Sequence, residues 1–129
     1  MDILSNIEAL HLEHKKWLEN VKFYRDLVEL YSAHLMRLSG LNIEDKEFKK
    51  QLEVLQNELI IEESQLSDLH HFIDRDEKSL KYISPDAAMK DKIRYFNNHL
   101  DLNDKMERFY CLFNELKKKY LRFCIKWQK

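Results

Sequence analysis

The stretch HLEHKKW, residues 11–17, sets His11 and His14 three apart with Glu13 between them and Trp17 one turn on. Imidazoles with a carboxylate at helical spacing begin a transition-metal site, and they equally suit two histidines on a structural helix. A metal site needs more ligands, and the chain offers His70 and His99 far along the sequence. Three imidazoles converging from three helices would suit zinc or iron, with Glu13 or Asp68 as the carboxylates that orient the rings. The competing reading makes His14 a core histidine bonded to a neighbour, His70 half exposed and His99 the edge of an apolar seam. His11 falls on the flank and His71 points outward.

Glu62 and Glu107 form a second candidate set. Two carboxylates in one apolar layer can divide acid and base roles when burial separates their proton affinities. They also suit ion pairing with flanking Lys or Arg, or a polar layer that fixes helix register, and register is the preferred role. A carboxylate-bridged di-iron bundle would repeat Glu-x-x-His on two helices. Only EALH, Glu8 to His11, matches, and it faces the flank.

The elements that must position these groups follow from composition. In 129 residues there is one Gly and one Pro, where average usage would place roughly nine and six. Turns are therefore few. In LSGLNIED, Gly40 suits the left-handed end of a helix and Asn42 the cap of the next, with Glu44 and Asp45 in its first turn. In ISPDAAM, Ser84 suits an N-cap and Pro85 the first helical position. SNIE, Ser5 to Glu8, matches a capping box. The sequence predicts one domain of three helices, about residues 6–39, 43–82 and 85–127. Short turns make them an elongated antiparallel three-helix bundle, all-α, up-down-up and coiled-coil-like.

Heptad seams run along each helix. The first is Ile7, His14, Val21, Val28 and Leu35, with Leu10, Trp17, Tyr24, Tyr31 and Leu38. The second runs from Phe48 to Ile83, interrupted by Glu62 and Asp76. The third begins as Met89, Ile93, Phe96 and Leu100, then shifts phase into His99, Leu102, Met106, Phe109, Phe113, Leu116, Tyr120, Phe123 and Trp127. Folding back near Leu41 sets His14 level with Leu69 and His70. Folding back near Pro85 sets His70 level with His99, and Glu62 level with Glu107.

The last helix carries Phe109, Tyr110, Phe113, Tyr120, Phe123 and Trp127, a wider aromatic face than a narrow seam covers. Internal packing competes there with an interface to a second copy or a partner helix. Lys117, Lys118, Lys119, Arg122, Lys126 and Lys129 are assigned to the helix dipole rather than to nucleic acid. Charged residues make up 35% and net to -1, which argues against bulk attraction to nucleic acid. No apolar run has the length of a membrane span, and Met1 to Leu10 lacks the pattern of a signal peptide. Cys111 and Cys124, about 20 Å apart along one helix, cannot bridge, which suits a reducing, cytoplasmic setting. One glycine cannot build a phosphate loop, and no serine sits in a nucleophile elbow.

The segments EHKKWLENVKFYRDLVEL, QNELIIEESQLSDLHHFI and FNELKKKYLRFCIKW resemble the three helices of small uncharacterised bacterial helical-bundle proteins. A His followed by Trp-Leu, an Asn in the second helix and a Phe-rich last helix recur in them. The resemblance covers most of the chain and implies the same fold. No activity is assigned to that family, so it implies none here. The function expected from sequence is a non-catalytic bundle without cofactor, acting through protein–protein contacts as a homodimer, with no nucleic-acid or membrane partner. The alternative is a metal-binding bundle, zinc or iron, using His14, His70 and His99 with Glu62 or Glu107 nearby.

Overall fold

The computed structural model describes residues 3–41, 43–83 and 85–127, with side chains from Asn6 onward. It consists of α1 (Ile3–Ser39), α2 (Lys46–Leu80) and α3 (Met89–Trp127). At 35 to 39 residues each, the helices run about 50 to 60 Å. Cross-helix pairs give the directions. Gln51, Glu58 and Asp76 of α2 meet Trp127, Lys119 and His99 of α3, so these two are antiparallel. Asn20 and His34 of α1 meet Tyr110 and Tyr120 of α3, so these two are parallel. The architecture is the expected up-down-up bundle, and no described helix is long and apolar enough to cross a membrane.

Both reversals differ in detail from the expected grammar. Gly40 has no positive φ. Its N–H bonds Arg37 O and that of Leu41 bonds Leu38 O, so α1 ends in tightened turns that require no left-handed residue. The cap of α2 is Asp45, whose Oδ1 accepts from Glu47 N at 2.8 Å and Phe48 N at 3.2 Å. The expected caps Asn42 and Ser84 lie outside the described residues. Ser5 lies inside α1, which begins two residues before it. Pro85 sits in a turn four residues before α3, where its missing N–H breaks no helical bond. Its carbonyl accepts from Lys92 Nζ at 2.9 Å.

The seams of α1 and α2 face inward as their periodicity predicts: Ile7, Leu10, Tyr24, Leu38 and Ile83 are half-buried and the other positions buried, including the three polar interruptions His14, Glu62 and Asp76. The first three turns of α3 depart from expectation. Met89, Ile93, Phe96 and Leu100 are exposed, and Tyr95 points inward instead, in phase with His99, which is buried as expected. The reason is chemical. Asp76 is buried on the facing helix, and a buried carboxylate needs hydrogen-bond donors. Tyr95 and His99 supply them, which rotates the apolar stripe into solvent.

The aromatic face of α3 is largely consumed by the chain's own core. Phe109, Phe113, Tyr120 and Phe123 are buried, and Tyr110 and Trp127 pack against them. Tyr31 stacks on Tyr120 with centroids 4.1 Å apart, Tyr24 meets Phe113 edge-on at 4.8 Å, and Phe48 stacks on Phe123 at 5.6 Å. The Tyr110 hydroxyl accepts from Asn20 Nδ2, and Trp127 Nε1 donates to Gln51 Oε1. Cys111 and Cys124 are both free thiols.

Candidate metal centre

Each helix contributes one buried polar residue to a single layer: His14 from α1, Asp76 from α2 and His99 from α3. Asp76 Oδ2 is its centre. His14 Nε2 lies 2.5 Å from it, His99 Nδ1 2.7 Å, and the Tyr95 hydroxyl donates to it at 3.1 Å. The two inner nitrogens are 3.3 Å apart. The outer nitrogens have their own carboxylates: His14 Nδ1 bonds Glu77 Oε2, and His99 Nε2 meets Glu13 Oε1 at 2.9 Å. Glu77 also takes exposed His11 through Nδ1 at 2.5 Å. The Trp17 indole stacks on His99 at 4.9 Å and 22°.

Histidines are thus the only cationic partners of these three carboxylates, since no Lys or Arg pairs with Glu13, Asp76 or Glu77 among the described residues. The proton affinities follow. Burial alone would raise Asp76, but hydrogen bonds from His14 and His99 and their charge outweigh it and bring its pKa down to about 2. Burial would likewise lower His14, and the bonds to Asp76 and Glu77 reverse that, holding it above its ordinary value. Glu77 is lowered against its own burial by His14 and His11. Tyr95 is pushed up strongly, by burial first and then by Asp76, so it stays a donor.

The donor set suits an ion. Around a tetrahedral metal with bonds near 2.0 Å, ligand atoms sit about 3.3 Å apart, and the two inner nitrogens already stand at 3.3 Å. Asp76 Oδ2 is closer, at hydrogen-bond distances. An ion replacing the two inner protons needs that triangle to open by under about 1 Å. The outer nitrogens then keep their protons for Glu77 and Glu13, the carboxylate–histidine–metal arrangement that fixes tautomer and ring orientation. A polar cavity of about 300 Å³, lined by Arg75, Ser79, Asn98, Asp101 and Asp76 itself, leads to the layer.

Of the residues expected from sequence, His14 and His99 come together, and Glu13 holds the outer nitrogen of His99. His70 does not join them. It is partly exposed on the flank of α2 and pairs with Asp74 at 3.5 Å, while Asp68 is exposed. Two causes moved the level by about two turns. Helix α2 begins at Lys46 rather than near residue 43. Side chains also lean toward their own helix N-terminus, so long groups meeting across antiparallel helices belong to Cα positions that have already passed each other. Glu62 and Glu107 are not a pair: Glu62 is buried with Oε2 lacking any partner, and Glu107 is exposed. Asp76, Glu77 and Tyr95 were not assigned to the site from sequence. For Asp76 the signal was present, since an acid on the buried seam requires partners. No family model, curated protein or solved structure matches the chain.

Proposed function

We propose that the protein is a metal-binding helical bundle, in which His14 Nε2, His99 Nδ1 and Asp76 bind one divalent transition ion and Glu77 and Glu13 orient the two imidazoles. One observation carries this reading: two inner nitrogens 3.3 Å apart face the same carboxylate oxygen while each outer nitrogen is engaged by a separate carboxylate. Two nitrogens and one carboxylate with positions left open suit zinc and ferrous iron alike. One ligand comes from each helix, so the ion ties three helices at one level. The test is metal analysis of protein purified without a tag, alongside His14→Ala. About one equivalent of zinc or iron in the wild type, lost in the variant, is the expected result. Protein that takes up no zinc or ferrous iron after chelation and reloading overturns it.

A second reading, self-association, is favoured by the stripe Met89, Ile93, Phe96 and Leu100, whose Met89 and Leu100 are 68% and 60% exposed. Four apolar side chains at positions i, i+4, i+7 and i+11 form one continuous helical face. Light scattering of the wild type and of Ile93→Lys tests it: a dimer that the variant dissociates supports a homodimer, and a wild type that stays monomeric at high concentration removes it.

A further inference from the structure

We propose that the groove between the start of α2 and the last third of α3 binds a small amphiphilic anion, an aliphatic body carrying one carboxylate. This site stands apart from the histidine layer: Val54 and Asp76 are 22 positions apart on α2, about 33 Å along the axis. The groove encloses about 340 Å³, within the range of small-molecule sites. Its floor is apolar, made of Val54, Leu55 and Phe123. Its walls are basic, with Lys50 from α2 and Lys119, Arg122 and Lys126 from α3.

The helix dipole does not account for this arrangement. It favours cations in the last turn, where Lys126 alone lies. Lys119 and Arg122 come earlier, and the spacing 119, 122, 126 places all three on one face. Acidic neighbours offset only part of this charge. Glu58 takes Lys119 at 3.1 Å, and Glu47, at the rim of the groove, accepts from Gln51 and keeps its charge, which leaves more cations than carboxylates around the groove. Lys126 lies over the Trp127 ring at 5.2 Å, and Lys50 and Arg122 have no carboxylate partner among the described residues. On a chain whose net charge is -1, this is a local excess of positive charge over exposed hydrocarbon.

Ligand chemistry follows from the two halves. A neutral apolar molecule would cover the floor and leave the cations unmatched. Inorganic phosphate would do the reverse. Single-stranded nucleic acid needs presented aromatic faces for stacking, and Phe123, the aromatic of the floor, is buried. A fatty-acid-like anion satisfies both halves, its chain lying on half-exposed Val54 and its head accepting charge-assisted hydrogen bonds from Arg122 or Lys126.

The test titrates octanoate and 1-octanol, both as monomers, into the full chain. Calorimetry gives affinity, and Trp127, whose Nε1 donates to the groove residue Gln51 at 3.1 Å, gives a fluorescence signal. Octanoate is expected to bind one to one and at least about tenfold more tightly than octanol, weakening with salt. Arg122→Gln with Lys126→Gln should remove that about tenfold preference and leave octanol binding unchanged. Val54→Asp, at a half-exposed floor position, should abolish binding of both while circular dichroism shows an intact bundle. Equal affinity for the two probes, or octanoate binding that survives Val54→Asp, overturns the proposal. So does retention by phosphatidylglycerol vesicles or by a single-stranded oligonucleotide without saturable octanoate binding.

Discussion

His14 Nε2 and His99 Nδ1 lie 3.3 Å apart across 85 positions of sequence, and both face the same oxygen of Asp76. Parallel helices α1 and α3 are thus joined at this level through a carboxylate from the antiparallel helix between them. A layer of this kind sets the phase of α3: it turns Tyr95 and His99 inward and leaves Ile93 and Leu100 in solvent. Whether two protons or one ion occupies its centre changes what the layer contributes, and this makes the centre accessible to experiment.

Removing the central carboxylate isolates its contribution. In metal-free protein, Asp76→Ala is expected to lower stability by about 3 to 5 kcal/mol, as for breaking a buried ion pair. Asp76→Asn, which keeps an acceptor for Tyr95 but removes the charge, should lose less, about 2 kcal/mol. Urea unfolding of the three proteins in chelator provides the comparison. An Asp76→Ala variant within about 1 kcal/mol of wild type would mean the layer is not assembled in solution.

The outer carboxylates separate positioning from ligation. Glu77→Gln and Glu13→Gln leave all three ligand atoms in place and remove the groups that orient the rings. Each should weaken metal binding by about 10- to 100-fold. His11→Ala should change it little, because His11 reaches the layer only through Glu77 and is itself exposed. Competition against a chromophoric chelator measures all three. An unchanged affinity in both Gln variants would argue against ligation through these inner nitrogens.

Stability against pH has a sign that the ion should oppose. His14 is held above its ordinary 6.5, so what it contributes is complete below pH 6.5 and is lost as pH rises through its folded-state value. Asp76 is lowered from 3.8 to about 2, so its contribution, about 2 kcal/mol, is complete above 3.8 and is lost as pH falls toward 2. Glu77, lowered from 4.5, follows the same direction. Metal-free protein should therefore be most stable between about pH 4.5 and 6.5 and weaken above that window. An ion competes with protons for the inner nitrogens, so its affinity rises with pH. At 1,000 times its Kd it adds about 4 kcal/mol. Thermal melts at about pH 5.5 and 8.5, with chelator and with zinc, should show a larger alkaline loss in chelator than with zinc.

The bundle was legible because breakers were scarce and the seams regular: every expected seam position from Phe48 to Leu80 is buried. The site was half legible. His14 and His99 could be placed in one layer because both sit on seams, but the third member was misplaced by an argument about levels. Counting residues from a turn locates Cα atoms, whereas hydrogen bonds are made by side-chain tips, and for a histidine meeting an aspartate across antiparallel helices the two differ by about a turn or more. The stripe of Met89, Ile93, Phe96 and Leu100 failed for another reason. Periodicity weighs hydrophobicity alone, and here the demand of buried Asp76 for donors prevailed over four apolar side chains.

Glu62 tests the opposite case, a buried acid without a partner among the described residues. Its Oε2 makes no hydrogen bond to any of them, and burial together with the nearby charge of Glu58 pushes its pKa above the ordinary 4.5. The stability it contributes is thus complete below pH 4.5 and declines as pH rises through the folded-state value. At neutral pH the charged form is a liability, and Glu62→Gln or Glu62→Leu should stabilise the protein by about 1 to 2 kcal/mol. The gain should shrink as pH falls through the folded-state value, which lies above 4.5, and be gone by about pH 4. Urea midpoints of wild type and both variants at the two pH values measure this. A loss of stability in Glu62→Leu at neutral pH, with Glu62→Gln unchanged, would instead assign Glu62 a partner beyond its own chain.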